Sequence, residues 1–172
     1  MSDSVTLRPM RWMDIAGGVL DLERELFESD SWSEELFWSE LAERDTRYYL
    51  VAEAGGRVVG YAGLCVYGDE AYVQTMAVAS ALQGRGIGTR LLIALMREAR
   101  RRSVGTVALE VRADNPSAQR LYARFGFEAV GLRRGYYQPS NVDAVVMVVQ
   151  HVGAPAYGEL LDALEHVRSG RA

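Results

Sequence analysis

Seven short segments rich in apolar residues are separated by turn residues, which predicts seven β-strands. Gly55-Gly56 and Gly68-Asp69 separate the second, third and fourth segments, and such pairs predict a meander of three antiparallel strands. The fifth segment follows a predicted helix, so it should run parallel to the fourth. The predicted strands are 5–8, 48–54, 57–67, 71–78, 106–112, 127–132 and 142–149.

Between the strands, apolar residues recur every three or four positions, which predicts five helices. Asp14, Ser33 and Asn115 are predicted N-caps of the first, second and fourth helices, and Pro155 starts the fifth. Residues 133–141 are predicted to form a loop. The apolar faces are Ile15, Val19, Leu22 and Leu26; Leu36, Phe37 and Leu41; Leu91, Leu92, Leu95, Met96 and Ala99; Ala118, Leu121, Tyr122 and Phe125; and Leu160, Leu161, Leu164 and Val167.

The chain has 172 residues and 49% hydrophobic content, which suits one globular domain with a substantial core. Its single cysteine, Cys65, lies in an apolar run, so we expect no internal disulfide and a reducing, cytoplasmic location. The N-terminus lacks a basic region followed by an apolar one, and no apolar run has membrane-spanning length, so we expect neither export nor membrane insertion. His151 and His166 lack further ligands at metal-binding spacing, so no metal is expected.

The net charge of −4 is unevenly distributed. Residues 21–45 contain ten acidic residues and only two arginines. Such a segment could form an acidic face for a basic partner, and it argues against nucleic acid as the main ligand. A solvated acidic helix surface is the alternative interpretation.

The residues from Gln83 to Thr89 contain a glycine turn between a predicted strand and a predicted helix. Unpaired N–H groups at a helix start bind phosphate, and glycines let the phosphate approach them closely. A dinucleotide fingerprint would need a third small residue where Leu91 or Thr89 stands. A Walker A loop would need a lysine, and all nineteen basic residues here are arginines. The turn therefore predicts a phosphate-bearing ligand of another class.

Glu110 is the first candidate for acid–base chemistry. In the predicted strand 106–112, Val107, Leu109 and Val111 share one face, so Glu110 projects from the other. An exposed strand residue, or the ribose-binding acid of a dinucleotide site, is the alternative. Tyr122 on the fourth helix, taken by itself, is an aromatic residue of the core or a second candidate.

Gln83, Gly86 and Gly88 match the pattern Gln/Arg-x-x-Gly-x-Gly/Ala, and they follow the apolar strand end Met76-Ala77-Val78. With this signature the chain resembles the GNAT superfamily of acetyl-CoA-dependent N-acetyltransferases. Further motifs resemble its RimI-type branch, which acetylates the N-terminal amine of a small-subunit ribosomal protein. These motifs are Leu109-Glu110-Val111-Arg112, Asn115, Leu121-Tyr122, Phe125-Gly126-Phe127, Arg133-Arg134 and Tyr136-Tyr137.

The resemblance implies an α+β fold. Its central sheet would be mixed and mostly antiparallel, with a parallel pair splayed at the acetyl-CoA site and helices on both faces. Residues 1–152 would form the acetyltransferase domain, and residues 153–172 a C-terminal helical extension of it.

The resemblance also assigns roles. Glu110 would be the general base, through water, and Tyr122 the general acid. Acetyl-CoA would be the co-substrate, without a metal. Its pantetheine arm would bind the strand end and its pyrophosphate the glycine turn. The implied cofactor-binding residues are Met76, Ala77, Val78, Gln83, Gly84, Arg85, Gly86, Ile87, Gly88, Thr89 and Asn115.

The expected acceptor is the N-terminal segment of a protein, such as a basic ribosomal protein, with neither nucleic acid nor membrane as partner. Small amines or lysine side chains are the alternative acceptors. A non-catalytic acetyl-CoA-binding module and a nicotinamide-dependent enzyme are the alternatives from other classes. The predicted peptide-binding residues are Trp32, Glu34, Glu35, Arg134, Tyr136 and Tyr137.

Overall fold

Seven strands form one mixed sheet in the computed structural model, which describes residues 4–170. The strands are β1 (Thr6–Pro9), β2 (Arg47–Ala54), β3 (Arg57–Tyr67), β4 (Glu70–Val78), β5 (Thr106–Arg112), β6 (Glu128–Tyr137) and β7 (Val142–Val149). Their order across the sheet is β1-β2-β3-β4-β5-β7-β6. Neighbouring strands in this part of the chain are antiparallel except β4 and β5, which are parallel. The predicted α+β fold is confirmed.

Helices connect several of the strands, and one helix follows the last strand. A π-helical stretch (Ile15–Val19) joins the first two α-helices, and short 3₁₀ turns lie at Glu28–Asp30 and Ser80–Leu82. Among residues 4–170, no helix is both long enough and apolar enough to cross a membrane. The α-helices are α1 (Trp12–Asp14), α2 (Leu20–Phe27), α3 (Glu34–Ala42), α4 (Ile87–Arg101), α5 (Pro116–Arg124) and α6 (Pro155–Ser169).

Two local predictions are wrong. Asp14 is the third residue of its helix, where its Oδ2 accepts the N–H of the N-cap Arg11 at 2.7 Å. The side chain is held there by a bidentate bond from Arg8, a partner that the local pattern does not reveal. Residues 133–137 belong to β6 and not to a loop, because Arg133 and Tyr137 pair with Ala144 and Val142 of β7 on either side of an irregularity.

Apolar side chains fill both faces of the sheet. In β2, for example, Leu50 and Ala52 contribute to one core, whereas Tyr49 and Val51 contribute to the other. The first core is covered by α4, α5 and α6, and the second by the helical segments from Trp12 to Ala42. The period of two in the strands therefore separates two cores, because successive side chains point to opposite faces.

The parallel pairing of β4 with β5 is short. It joins Glu70–Val73 to Thr106–Leu109 and goes no further along β4. On the other side of β4, Gly63 of β3 lies opposite Thr75, and Leu64 lies opposite Val73, so Gln74 is an extra residue. A bulge of this kind bends its strand and increases its twist. The β4 strand therefore separates from β5 beyond Val73, which agrees with the predicted splayed pair.

Gly63 lies beside this bulge and is covered by an aromatic ring. A Cβ atom built on Gly63 would overlap the ring carbons of Tyr49. The ring is itself fixed, because Tyr49 is buried and its hydroxyl donates to Glu40 Oε2 at 2.6 Å. The glycine thus allows the close approach that packs β2 onto the bulged region.

Glu23 is a carboxylate inside the second core. Its side chain on α2 is only 2% exposed, and its oxygens accept the Trp32 N–H and the Tyr61 O–H. Burial raises the pKa of Glu23 to about 7 from the usual 4.5, and the Trp32 hydrogen bond opposes part of this rise. The folded state therefore holds this proton more tightly than the unfolded chain does.

Gly63→Ala should destabilise the protein, because the added methyl group has no room beside Tyr49. Overpacking of this kind costs about 1–3 kcal/mol. Urea denaturation measures the free energy of unfolding. Gly17→Ala is the matched control, since no atom lies within 4 Å of its Cβ position, and it should be neutral or stabilising. Equal midpoints for the Gly63→Ala variant and the unmodified protein would contradict the packing argument.

Glu23→Gln should remove a pH dependence of stability. Because the pKa of Glu23 is higher in the folded state, protonated Glu23 contributes to the free energy of unfolding. This contribution is fully present below pH 4.5 and is lost as the pH rises to about 7. One such group changes the free energy of unfolding by at most about 1.4 kcal/mol per pH unit. Denaturation of both proteins between these pH values should show that the stability of the Gln variant increases relative to that of the unmodified protein as the pH rises. A constant difference would refute the assignment.

Candidate active site

The separation of β4 from β5 opens a cavity of about 120 Å³. Its walls are formed by the ends of these two strands, by α5, by the segment between α2 and α3, and by the end of β6. The side chains that matter for chemistry include Met76, Glu110, Tyr122, Trp32 and Tyr137. Residues from distant parts of the chain thus line the gap between the two parallel strands.

Glu110 faces this cavity from β5. The neighbouring Leu109 and Val111 are buried on the other face of the strand, as their alternation predicts. The Glu110 side chain is 27% exposed, and Arg133 Nε lies 3.7 Å from its Oε1. The Tyr137 hydroxyl donates to the Glu110 backbone carbonyl at 3.3 Å. The carboxylate therefore remains accessible to water and to a ligand in the cavity.

Tyr122 reaches the same cavity from α5. Asn115 caps this helix through a 3.1 Å bond from the Ala118 N–H, and Pro116 occupies the first position, as predicted. The Tyr122 ring is 7% exposed and packs edge-on against Phe127. Burial raises the pKa of the Tyr122 phenol above its usual range. The group therefore stays protonated at neutral pH and can donate a proton.

The free edge of β4 lies beside this cavity. Ala79 N–H donates to Val59 O at 2.9 Å, which makes these two a hydrogen-bonded pair. Such pairs alternate along an antiparallel ladder, so the N–H and C=O groups of Val78 and Met76 point away from β3. They face the side on which β5 has separated. An extended ligand could bind these groups as an added strand would.

The glycine turn follows directly at the end of β4. Gly84 and Gly86 have positive φ angles of 77° and 82°, and Gly86 is the N-cap of α4. The Gln83 amide donates to Val78 O at 3.0 Å, which fixes the turn to the strand. The first N–H groups of α4 have no intrahelical partner, and such groups bind anions. These residues line no part of the 120 Å³ cavity but continue the β4 edge.

The structure brings some predicted site residues together and leaves others apart. The predicted site residues that line the cavity are Trp32, Met76, Glu110, Asn115, Tyr122 and Tyr137. Those that do not are Ala77, Val78, Gln83, Gly84, Arg85, Gly86, Ile87, Gly88, Thr89, Glu34, Glu35, Arg134 and Tyr136. Thr89 is buried and its hydroxyl accepts a bond from Arg124 at 3.2 Å, so this side chain serves helix packing. Glu34 and Glu35 are exposed on the first turn of α3.

Two acidic residues of this site were not predicted. Glu23 lines the cavity from α2, and its position, four residues after Val19 and three before Leu26, lies within an apolar stripe. A carboxylate within an apolar stripe is the sequence feature that could have identified Glu23 as a site residue. Asp30 accepts bonds from Arg112 Nη1 at 2.6 Å and from the Ser140 N–H at 3.0 Å. No local pattern predicts a contact between residues 110 positions apart.

A larger cavity, of about 430 Å³, lies where β1 ends and β2 begins. Its arginines include Arg47 and Arg102, whose charges are paired with Glu40 and Glu98. None of the predicted base, acid or cofactor-binding residues lines it. The smaller cavity is the candidate active site because it combines a carboxylate, a protonated phenol and a free strand edge.

Comparisons with known proteins identify the family of this chain. A sequence profile described as the Acetyltransferase (GNAT) family matches residues 18–127. The N-alpha-acetyltransferase RimI of Mycobacterium tuberculosis is 46% identical over 132 residues, which cover 74% of this chain and 81% of that protein. The ribosomal protein bS18-alanine N-acetyltransferase of Escherichia coli is 37% identical over 120 residues, or 69% and 80% of the two chains.

A solved structure shows the same fold. The crystal structure of the ribosomal-protein-S18-alanine N-acetyltransferase from Escherichia coli has a TM-score of 0.77 and 31% sequence identity to this chain. The similarity covers 86% of this chain and 94% of that one. Together with the profile match over more than half of the sequence, these similarities show that the chain belongs to the GNAT family of acetyltransferases.

Proposed function

We propose that this protein transfers the acetyl group of acetyl-CoA directly to the α-amine at the N-terminus of a protein, and that the substrate is a ribosomal protein. The names of the relatives from Mycobacterium tuberculosis and Escherichia coli support an N-terminal amine as acceptor. The observation that carries the proposal is the shared cavity of Glu110 and Tyr122 beside the free edge of β4.

The residues at this edge fit acetyl-CoA. The outward N–H and C=O groups of Met76 match the amides of a pantetheine arm. The outward Val78 N–H lies beyond Ala77 and remains available to the thioester, whereas the Val78 C=O already accepts from the Gln83 amide. The pyrophosphate would bind the turn from Gly84 to Thr89, where two glycines adopt left-handed conformations. Acetyl-CoA supplies the acetyl thioester. The Val78 N–H, on the free edge, would donate to the thioester carbonyl oxygen.

Glu110 would accept the proton of the attacking amine through a water molecule. A peptide α-amine titrates near ~7.8 and a lysine amine near ~10.4, so deprotonating lysine at neutral pH costs about 3.5 kcal/mol more. The Glu110 carboxylate is accessible, and Arg133 Nε lies 3.7 Å from it. A carboxylate is in general a weaker base than either amine. It suits the α-amine better than a lysine side chain.

Tyr122 would return a proton to the departing sulfur. A free thiolate takes up a proton near ~8.5, whereas burial keeps the phenol of Tyr122 protonated well above that value. Transfer from phenol to thiolate is therefore brief, and the tyrosine regains its proton from water. Burial also raises the pKa of Tyr137 to about 12, so this second tyrosine of the cavity acts as a hydrogen-bond donor at neutral pH.

The acceptor peptide would enter between Trp32 and Tyr137. Glu34 and Glu35 are exposed on the nearby start of α3, where they can attract a basic peptide. Arg134 and Tyr136 lie exposed on β6 at the other side of the entrance and would contact residues further along the peptide. Three of the ten acidic residues in 21–45, namely Glu23, Asp30 and Glu40, are buried or half-buried and hydrogen-bonded within the protein, so the acidic face is smaller than the sequence suggests.

The enzyme should acetylate a ribosomal-protein N-terminal peptide only when its α-amine is free. Mass spectrometry should place the acetyl group on the first residue, and a peptide with a blocked N-terminus should give no product. The same peptide with an internal lysine serves as the comparison. Equal acetylation of the blocked, lysine-containing peptide would establish a lysine acetyltransferase instead.

Glu110→Gln and Tyr122→Phe should each lower kcat by about 10²–10⁴-fold, the usual range for loss of a general base or acid. Acetyl-CoA binding, measured by calorimetry, should be unchanged because neither side chain lies at the glycine turn. Glu128→Gln, an exposed position at the start of β6, is the matched control and should retain full activity. Full turnover by either active-site variant would remove the role assigned to that residue.

A further inference from the structure

Glu23 occupies an unusual position between the core and the active site. It is 2% exposed, it belongs to the helix α2 that covers the second core, and it also lines the active-site cavity. The proposed proton transfers do not use it. A carboxylate buried at such a place requires partners, because an unpaired one is costly.

The partners of Glu23 connect three parts of the chain. Its Oε1 accepts the Trp32 N–H at 2.8 Å, and its Oε2 accepts the hydroxyl of Tyr61, a fully buried residue of β3. The carboxylate therefore joins α2, the sheet and the backbone at Trp32. In the described structure, this bond gives the Trp32 N–H its partner within the protein.

Residues 28–33, here called the wall segment, form one side of the cavity through Asp30 and Trp32. Asp30 is held by Arg112 and by Ser140, so one point of the wall segment is attached to β5 and to the turn after β6. Glu23 attaches a second point, two residues further along. Without it, the wall segment would be held at Asp30 and by the packing of the Trp32 ring against Phe37.

We propose that Glu23 is a positioning residue of the acceptor site, which holds the wall segment against β3 and thereby fixes Trp32 where the acceptor peptide binds. The inference rests on the proposed function and identifies a determinant of its peptide site. Glu23 acts through the backbone of Trp32 and through Tyr61, and it does not touch the reacting atoms.

The two hydrogen bonds predict how substitutions behave. Leucine fills the same space but leaves the Trp32 N–H and the Tyr61 hydroxyl unpaired, so the wall segment would move to expose them to water. Glutamine keeps both residues in contact: its carbonyl oxygen accepts from the Trp32 N–H, and its amide donates to the Tyr61 oxygen, which reverses the direction of the bond that Tyr61 makes to Glu23. Glutamine should therefore rescue what leucine destroys, although it carries no charge.

Steady-state kinetics on a free N-terminal peptide test this inference. Glu23→Leu should raise the peptide KM about tenfold and leave the acetyl-CoA KM within about twofold, and Glu23→Gln should restore the peptide KM to within about threefold of the unmodified protein. Glu98→Gln is the matched control, a buried carboxylate paired with Arg101 and Arg102, and should change neither KM. Hydrogen exchange at the Trp32 amide should accelerate in the Leu variant and stay slow in the Gln variant.

Three outcomes would overturn the positioning role. They are a Gln variant as impaired as the Leu variant, equal increases in both KM values, and unchanged exchange at Trp32 in the Leu variant. If Glu23→Leu does not fold, Tyr61→Phe removes one of the two bonds and should raise the peptide KM in the same direction by a smaller factor. If the unmodified protein acetylates no peptide, the proposed function fails, and the exchange of the Trp32 amide decides separately whether Glu23 holds the wall segment.

Discussion

The active site depends on the early end of the pairing between β4 and β5. Only Glu70–Val73 pairs with β5, and the extra residue Gln74 then turns β4 away. Backbone groups that lose a partner inside a protein need a replacement, since an unpaired buried N–H is costly. The same break therefore opens the cavity and leaves a strand edge that an extended ligand can complete. The catalytic candidates Glu110 and Tyr122 are useful only because they face this gap.

Buried charges hold the walls of the gap in place. Asp30 connects the wall segment to Arg112 and Ser140, and Glu23 connects it to β3 through Tyr61. Each carboxyl group accepts hydrogen bonds at both oxygens, which offsets part of the cost of removing it from water. These bonds give a defined position to a short segment that consists of one 3₁₀ turn and extended backbone. Strands of the sheet form one side of the site, and two hydrogen-bonded carboxyl groups hold the other.

The prediction of elements succeeded where the signal is local. The meander β2–β3–β4, the caps Ser33 and Asn115, and the strand of residues 142–149 follow from turn chemistry and periodicity, and the structure confirms them. It failed at residues 133–137, because β7 pairs with a segment whose composition resembles a loop. It also misplaced Asp14, because the side chain of this helical residue is held by Arg8, which lies on β1.

The sequence by itself determined the order of the helices and strands, the two apolar faces of the sheet and the glycine turn at the start of α4, because each depends on neighbours along the chain. It also placed Glu110 opposite the buried face of β5, and the resemblance to a family paired that residue with Tyr122. Only the tertiary structure decided which residues share the cavity, where β4 leaves β5, and that Glu23 and Asp30 secure the wall segment. Those features depend on contacts between residues up to 110 positions apart, and a periodic pattern contains no information about such contacts.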